Sequence, residues 1–250
     1  MTTQLHTPMY LLRRHMVLHA IGHDASERFL EIGCGRGDLL VQLAHRGFEG
    51  VGVEISPEAF ATAATAAAEF PRQLRVFDRL DAVAGQTFDL VMAFEVLEHV
   101  PDDRATLMQW ARHVAPGGRF LLSVPAHMRK WTRADEFGGH LRRYERAQLE
   151  ELLQGAGLAI DDVWTYGFPL SSLTRRARNL AYRRRAADMA MRTPTERTLA
   201  SSFDSTRAFR GAALAARALD VAGRVGHAVQ LAFRNTELGE GFLVAAHRPT

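Results

Sequence analysis

Three glycines, Gly33, Gly35 and Gly37, stand between a short apolar run and an apolar helix pattern in RFLEIGCGRGDLLVQLA. Glycine at such a turn lets a ligand come against bare backbone, where a side chain would block the approach. An acid, Glu31, precedes the glycines on the same apolar run. A second, Glu54, closes the next apolar run seventeen residues after Gly37. A carboxylate at that second place can accept both hydroxyls of a ribose. A Gly-x-Gly pair by itself is common in ordinary core turns; the two flanking acids are what direct it toward a nucleoside. The third glycine follows the second by two residues, whereas dinucleotide-binding turns favour G-x-G-x-x-G.

Residues able to move protons gather in two further stretches. FEVLEHV supplies Glu95, Glu98 and His99, and SVPAHMRKWTRADEFGGHLRRYERAQL supplies His127, Asp135, His140 and Tyr144. Arg142 and Arg143 can bind an acidic group or pair with Glu145 and Glu150. The single cysteine, Cys34, lies inside the glycine turn. It reads most simply as a small space-filler, because a nucleophilic thiol needs a base beside it. The eleven histidines show no metal-ligand spacing, and neither Cys-x-x-Cys nor His-Glu-x-x-His occurs, so no metal is expected.

The elements that must carry these groups follow from the apolar periodicity. Helices are predicted over Met9–Ile21, Asp38–Arg46, a run capped by Ser56 with Pro57 at its first position, Asp102–Val114 and Arg146–Ala156. Strands are predicted over Phe29–Ile32, Val51–Ile55, Leu74–Phe77, Phe88–Phe94, Arg119–Val124, Leu158–Thr165 and Gly241–Ala246. Strands alternating with helices at this spacing predict an α/β chain: a doubly wound, seven-stranded, mostly parallel sheet. Ligands of such sheets bind beyond the carboxyl ends of the strands, which is where the glycine turn, Glu54 and both titratable stretches fall. About 70 residues separate the last two strands, far more than an ordinary loop. Most of that gap has helical character, over Leu170–Met191 and Thr206–Phe233, and 168–236 is read as a helical insertion in a single domain of residues 1–250.

At 250 residues with 47% hydrophobic side chains the chain can build a sizeable core. The net charge of +3 is unevenly placed. Between Ser171 and Thr236 stand thirteen arginines against four acids, so the rest of the chain is net acidic. Such a segment is either a solvated helical face or a surface for an anionic substrate, a partner or a membrane face. One cysteine gives no disulfide framework, the start has no basic n-region followed by an apolar run, and no uncharged stretch is long enough for a bilayer. A cytoplasmic protein is expected.

Five ordered stretches resemble the class I S-adenosylmethionine-dependent methyltransferases, in particular the small-molecule branch that includes the ubiquinone-biosynthesis-type enzymes. They are LEIGCGRG (Leu30–Gly37), GVGVEIS (Gly50–Ser56), FDLVMAFEVLEHVPD (Phe88–Asp102), APGGRFLLSVP (Ala115–Pro125) and LLQGAGL (Leu152–Leu158). The resemblance covers about residues 25–165 and the last strand. It implies a Rossmann-like methyltransferase fold and S-adenosyl-L-methionine as cofactor. By the same resemblance Gly33, Gly35 and Gly37 pass under the methionine part and Glu31 helps anchor its amino group. Glu54 binds the ribose diol, Ile55 lies against the adenine, and Asp78 accepts the adenine amino group. VFDRLDAV departs from the usual Gly-Asp pair, leaving Asp81 as a rival to Asp78. Phe94 and Glu95 lie beside the sulfonium. GGHLRRY is similar to a segment common in this branch, which makes His140 the first candidate for a base or substrate-orienting residue and Glu95 the second. Tyr144 is a third candidate, or a packing residue.

The function expected is methyl transfer to a small-molecule acceptor, on oxygen or nitrogen before carbon, with an anionic or lipid-like substrate accommodated by the arginine-rich insertion. That insertion would serve as a lid, a substrate-binding element or a homodimer surface. Methylation of RNA or protein is an alternative that the arginines allow through phosphate contacts. Aromatics are sparse there, no RNA-binding module is recognisable, and the Asn/Asp-Pro-Pro-Phe/Tyr motif of base-amino methylases is missing, so nucleic acid is disfavoured. A non-catalytic cofactor-binding subunit and a nicotinamide dehydrogenase complete the alternatives.

Overall fold

The computed structural model describes residues 8–172 and 226–250. The bulk of the arginine-rich segment, and with it most of both helices expected between 168 and 236, lies outside the described residues. The described chain divides into two compact units. One holds residues 22–124, 144–163 and 244–250; the other holds 8–21, 125–143, 164–172 and 226–243.

The first unit carries most of the sheet. Its strands are β1 (Arg28–Ile32), β2 (Glu49–Val53), β3 (Leu74–Phe77), β4 (Phe88–Phe94) and β5 (Val114–Pro125), with β6 (Ala159–Tyr166) and β7 (Gly241–His247) completing the order β3-β2-β1-β4-β5-β7-β6. β1 pairs in parallel with β2 on one side and β4 on the other, and β2–β3 and β4–β5 are parallel as well. β7 runs against β5: Gly117 donates to the carbonyl of Arg248 while Arg248 donates back to that of Gly118. The chain thus leaves β1 toward β2 and β3, then returns to β4 on the opposite side, so right-handed crossovers put the helices of the first half on one face and those of the second half on the other. α2 (Asp38–Ala44) accordingly lies against α3 (Pro57–Ala67), and α4 (Asp103–Ala111) against α6 (Arg146–Gly155). Phe29, Leu30, Leu40, Phe88, Leu90, Val91, Phe120 and Leu122 are fully buried in this unit. Each contributes on the order of 1.5–3 kcal/mol by leaving water. That burial on both faces is why the strands read as continuous apolar runs rather than alternating ones.

Two strands differ most from the sequence expectation, and the helix expected over Asp102–Val114 ends at Ala111. β2 begins at Glu49 rather than Val51 and ends before Glu54. Its glycines weaken the strand signal, yet the packing requires them: a Cβ on Gly50 would stand 2.5 Å from the Phe29 carbonyl oxygen, and one on Gly52 2.6 Å from Leu40 Cδ1. β5 begins at Val114 instead of Arg119, because Pro116–Gly118 enters the strand as an irregularity and does not end a loop; the pairing with β4 shifts register between Phe88 and Leu90.

The second unit contains α1 (Pro8–Ile21), the segment after β5 with its short α5 (Arg133–Gly138), and residues 226–231, which are helical. Gln230 is buried and fastens this unit together. Its Nε2 donates to the Leu12 carbonyl at 2.9 Å and its Oε1 accepts from the Gly167 N–H at 3.0 Å. α5 was not expected, because its six residues are too few to show a helical period; its ends are fixed by a Thr132–Asp135 capping box and by Gly139 in a left-handed conformation. Among the described residues no helix is long and apolar enough to cross a membrane.

Candidate active site

The glycine turn joins β1 to α2. Gly33, Gly35 and Gly37 all have positive φ (74°, 56° and 81°), the region that side chains disfavour. The neighbours differ at each. A Cβ on Gly33 would lie 2.4 Å from Val96 Cγ2, so the turn rests directly on the chain leaving β4. A Cβ on Gly37 would press on the Ala63 backbone of α3 at 3.2 Å. At Gly35 no atom lies within 4 Å of the Cβ position, so this glycine faces open space. Gly33→Ala is therefore expected to destabilise the chain by about 2–4 kcal/mol, from strain and overpacking together. Urea unfolding monitored by circular dichroism measures it, and Val96→Ala in the same chain should recover part of the loss.

Glu54 stands one residue past β2, 7% exposed. Its Oε2 accepts from the Gly35 N–H and its Oε1 from the Ser56 N–H, both at 2.8 Å. Two backbone donors thus lock the carboxylate against the turn, and each oxygen keeps a further lone pair for a ligand hydroxyl. Ile55, the next residue, is an apolar side chain left 76% exposed. Val53 pairs with Phe77 at the end of β3, so Asp78 emerges from the strand next to Glu54, exposed. Asp81 sits beyond it in the 3-10 turn Leu80–Val83. Glu31 is buried on β1, between Gly52 of β2 and Met92 of β4.

Phe94 ends β4 half-buried, and Glu95 follows with φ 58°, a left-handed conformation rare outside glycine. Glu95 is held there by its own N–H on the Ser123 carbonyl and by the Ser123 hydroxyl, which donates to Oε1 at 3.0 Å. Backbone strain of this kind concentrates at functional sites. Glu98, in the 3-10 turn Leu97–His99 that follows, is fully buried, with His99 Nε2 at 3.8 Å. Tyr144 is also fully buried; its hydroxyl donates toward the Leu97 carbonyl and the Asp103 carboxylate, the geometry of a packing residue that ties α4 to the end of β4. Cys34 fills the space that Gly52 leaves, and burial, then the nearby charges of Glu31 and Glu54, push its thiol well above the usual range. It stays protonated and is no nucleophile.

The second unit holds the other titratable cluster. Asp135, 1% exposed on α5, is gripped on both oxygens. Arg143 donates from Nε to Oδ1 at 2.8 Å and from Nη2 to Oδ2 at 3.0 Å, and Thr132 donates to Oδ2 through its N–H and hydroxyl. His140 Nδ1 lies 3.1 Å from Oδ1. Burial alone would raise this carboxyl, but hydrogen bonds from His140 and Arg143, with their charges, outweigh it and hold the group at about 2. Arg143 thus pairs with Asp135, where the sequence offered an external acid, Glu145 or Glu150; it is Arg146 that approaches Glu150, at 3.9 Å. His127, also singled out in this stretch, is buried edge-on against Phe242 with Glu237 at 3.4 Å.

Because the folded-state value of Asp135 lies below the ordinary 3.8, its contribution to stability is complete above that ordinary value and is lost as pH falls through about 2. Urea midpoints between pH 5 and pH 2 should fall in the natural chain by more than in Asp135→Asn, which has no carboxylate to protonate there.

A family model described as a methyltransferase domain matches residues 6–163. The chain belongs to that methyltransferase family. Relatives add detail. A ubiquinone biosynthesis O-methyltransferase of Alkalilimnicola ehrlichii is 36% identical over 118 residues, 45% of this chain and 47% of that one. The chain spans about half the length of the curated relatives it matches. Among solved structures, an S-adenosylmethionine-dependent methyltransferase from Mesorhizobium loti aligns with a TM-score of 0.54 at 16% identity, covering 92% of this chain and 94% of that one. The [4+2]-cyclase SpnF aligns equally well, at TM-score 0.54 and 19% identity over 90% of this chain and 76% of its own. At such identities the likeness carries the fold alone.

In this member of the methyltransferase family the residues about the turn fit S-adenosylmethionine. The open side of Gly35 admits a ligand against the backbone, the pinned Glu54 carboxylate suits a ribose diol, and the uncovered Ile55 offers adenine an apolar face. Asp135 and Arg143 were both singled out in the sequence, but their pairing with each other was not. They are eight apart with no shared period, and only an arginine both buried and bidentate reveals the pair.

Proposed function

We propose that this chain transfers a methyl group from S-adenosylmethionine to a small-molecule acceptor, on oxygen or nitrogen before carbon. The observation that carries the reading is the Glu54 carboxylate, fixed by the Gly35 and Ser56 N–H groups beside an exposed Ile55. The O-methyltransferase relatives support the small-molecule branch. When bound, the cofactor supplies a carbon already activated by positive sulfur, so the protein's work is alignment and the exclusion of water. Gly33, Gly35 and Gly37 admit it against the backbone, with Glu31 near its amino group. Glu54, Ile55 and Asp78 hold the nucleoside. Phe94 covers the reacting end. His140, or Glu95 in its place, receives the acceptor's proton or orients the acceptor. The arginines between 171 and 236 favour an acceptor carrying a phosphate or carboxylate.

Titration calorimetry with S-adenosylmethionine and, separately, with a nicotinamide dinucleotide tests the cofactor. Transfer of label from methyl-labelled cofactor into organic extract, RNA and protein fractions tests the acceptor class. Micromolar binding of S-adenosylmethionine alone and label in the small-molecule fraction are expected. Label in RNA or protein overturns the acceptor, binding without any turnover leaves a cofactor-binding subunit, and no binding overturns the whole reading.

A further inference from the structure

We propose that His227 is a proton-sensitive latch: neutral, it completes the Gln230 clasp that holds α1 to the helical segment 226–231, and on taking up a proton it loosens α1. Neither the glycine turn nor His140 takes part. The clasp is a buried amide. Gln230, 1% exposed, accepts from the Gly167 N–H on Oε1 at 3.0 Å and donates from Nε2 to the Leu12 carbonyl at 2.9 Å. Turning the amide over would set its oxygen against the Leu12 carbonyl and its NH2 against the Gly167 N–H, two buried repulsions. The amide therefore has one orientation, and its second Nε2 hydrogen faces His227 Nδ1 at 3.2 Å.

An amide hydrogen needs a lone pair, so His227 carries its proton on Nε2 and none on Nδ1. Imidazolium has a hydrogen on both nitrogens. Its Nδ1–H would meet the Gln230 N–H, and the amide could escape only by turning away from Leu12 or from Gly167. A histidine that merely filled space would be indifferent to which nitrogen holds the proton.

The surroundings press the same way. His15 and His19, one turn apart on α1, bring their rings to 5.6 Å and 6.0 Å from the His227 ring, centroid to centroid. Trp164 of β6 lies 6.1 Å from the His19 ring and brings no charge. Among the described residues the charges that act on His227 are those of His15 and His19; burial first, then these two, hold it below the ordinary 6.5. The contact is also tight, since a Cβ on Gly226 would stand 2.9 Å from Leu12 Cδ2. Because the folded value lies below 6.5, the docking of α1 is complete above that pH and weakens as pH falls from 6.5 toward the folded value.

Two measurements on the natural chain test the latch, and neither needs cofactor or acceptor. A long-range proton–nitrogen NMR spectrum at pH 7.5 should show His227 with Nε2 protonated and Nδ1 bare; a proton on Nδ1 overturns the proposal. Hydrogen exchange, corrected for the intrinsic effect of pH, should show the opening equilibrium of residues 8–21 rising by about three- to tenfold between pH 7.5 and pH 5.5. His227→Asn sets a carbonyl oxygen near the place of Nδ1 and cannot titrate, so the rise should shrink below about twofold with His15 and His19 still present. An undiminished rise in that variant assigns the effect to His15 and His19 and overturns the latch. Gln230→Ala should open α1 at both pH values; protection equal to that of the natural chain would mean that the amide clasps nothing, and overturns it as well. Should His227→Asn not fold, the titration of His227 in the natural chain decides, because a midpoint at or above the ordinary 6.5 overturns the proposal.

Discussion

Glu54→Ala is expected to raise the dissociation constant for S-adenosylmethionine at least about 100-fold, beyond ordinary calorimetric detection. Two hydrogen bonds from ribose hydroxyls to an ionised, largely buried acceptor are each worth about 1.5–3 kcal/mol, and about 3 kcal/mol is already a factor above 100. The loss has a second source. The same carboxylate holds the N–H groups of Gly35 and Ser56, so truncation also releases the turn that the cofactor must lie on. Glu54→Gln separates the two. Its single carbonyl oxygen can keep one backbone N–H, but its amide donors face the other N–H and one ribose hydroxyl, so it should lose nearly as much affinity while its unfolding midpoint lies between those of Glu54→Ala and the natural chain. A dissociation constant within threefold of the natural one in Glu54→Ala would place the nucleoside elsewhere and remove the basis for reading this turn as the cofactor site.

The glycine turn and the acid that follows β2 were legible because their information is local. Gly33, Gly35, Gly37 and Glu54 sit within twenty-two residues of one another, and the positive φ at the three glycines favours that residue type. The doubly wound, mostly parallel sheet follows from the same alternation of elements, and its order reverses between β1 and β4. What escaped the sequence is long-range or short-period. The strand signal of β2 was interrupted by Gly50 and Gly52, which are glycines because Phe29 and Leu40 fill their side-chain space from other elements. The reach of β5 through Pro116–Gly118 depends on hydrogen bonds exchanged with Arg248, more than a hundred residues away. Tyr144 beside GGHLRR carries no mark in sequence that its hydroxyl turns to Leu97 and Asp103. Arg143 had Glu145 and Glu150 as nearer partners, and its burial decided for Asp135. Charged side chains choose partners by depth as well as by spacing, because a buried arginine without a carboxylate is far more costly than an exposed one.

The proton-moving half is where a single substitution should separate chemistry from architecture. His140→Asn places an amide N–H where Nδ1–H stood, so the hydrogen bond to Asp135 Oδ1 can persist and Arg143 keeps its charge balance. What the amide cannot do is take up a proton near neutral pH. General base catalysis of this kind contributes about 10²–10⁴-fold, so kcat should fall by that factor while the dissociation constant for S-adenosylmethionine and the unfolding midpoint stay near those of the natural chain. Glu95→Gln supplies the comparison. Its amide can still receive the Ser123 hydroxyl through oxygen, and the strained backbone at φ 58° is unchanged in kind. If His140 is the base, Glu95→Gln should lower kcat by less than His140→Asn does. Full activity in His140→Asn with a large loss in Glu95→Gln would move the proton's destination to the end of β4, and the acceptor would then be deprotonated by a carboxylate that shares its strand end with Phe94.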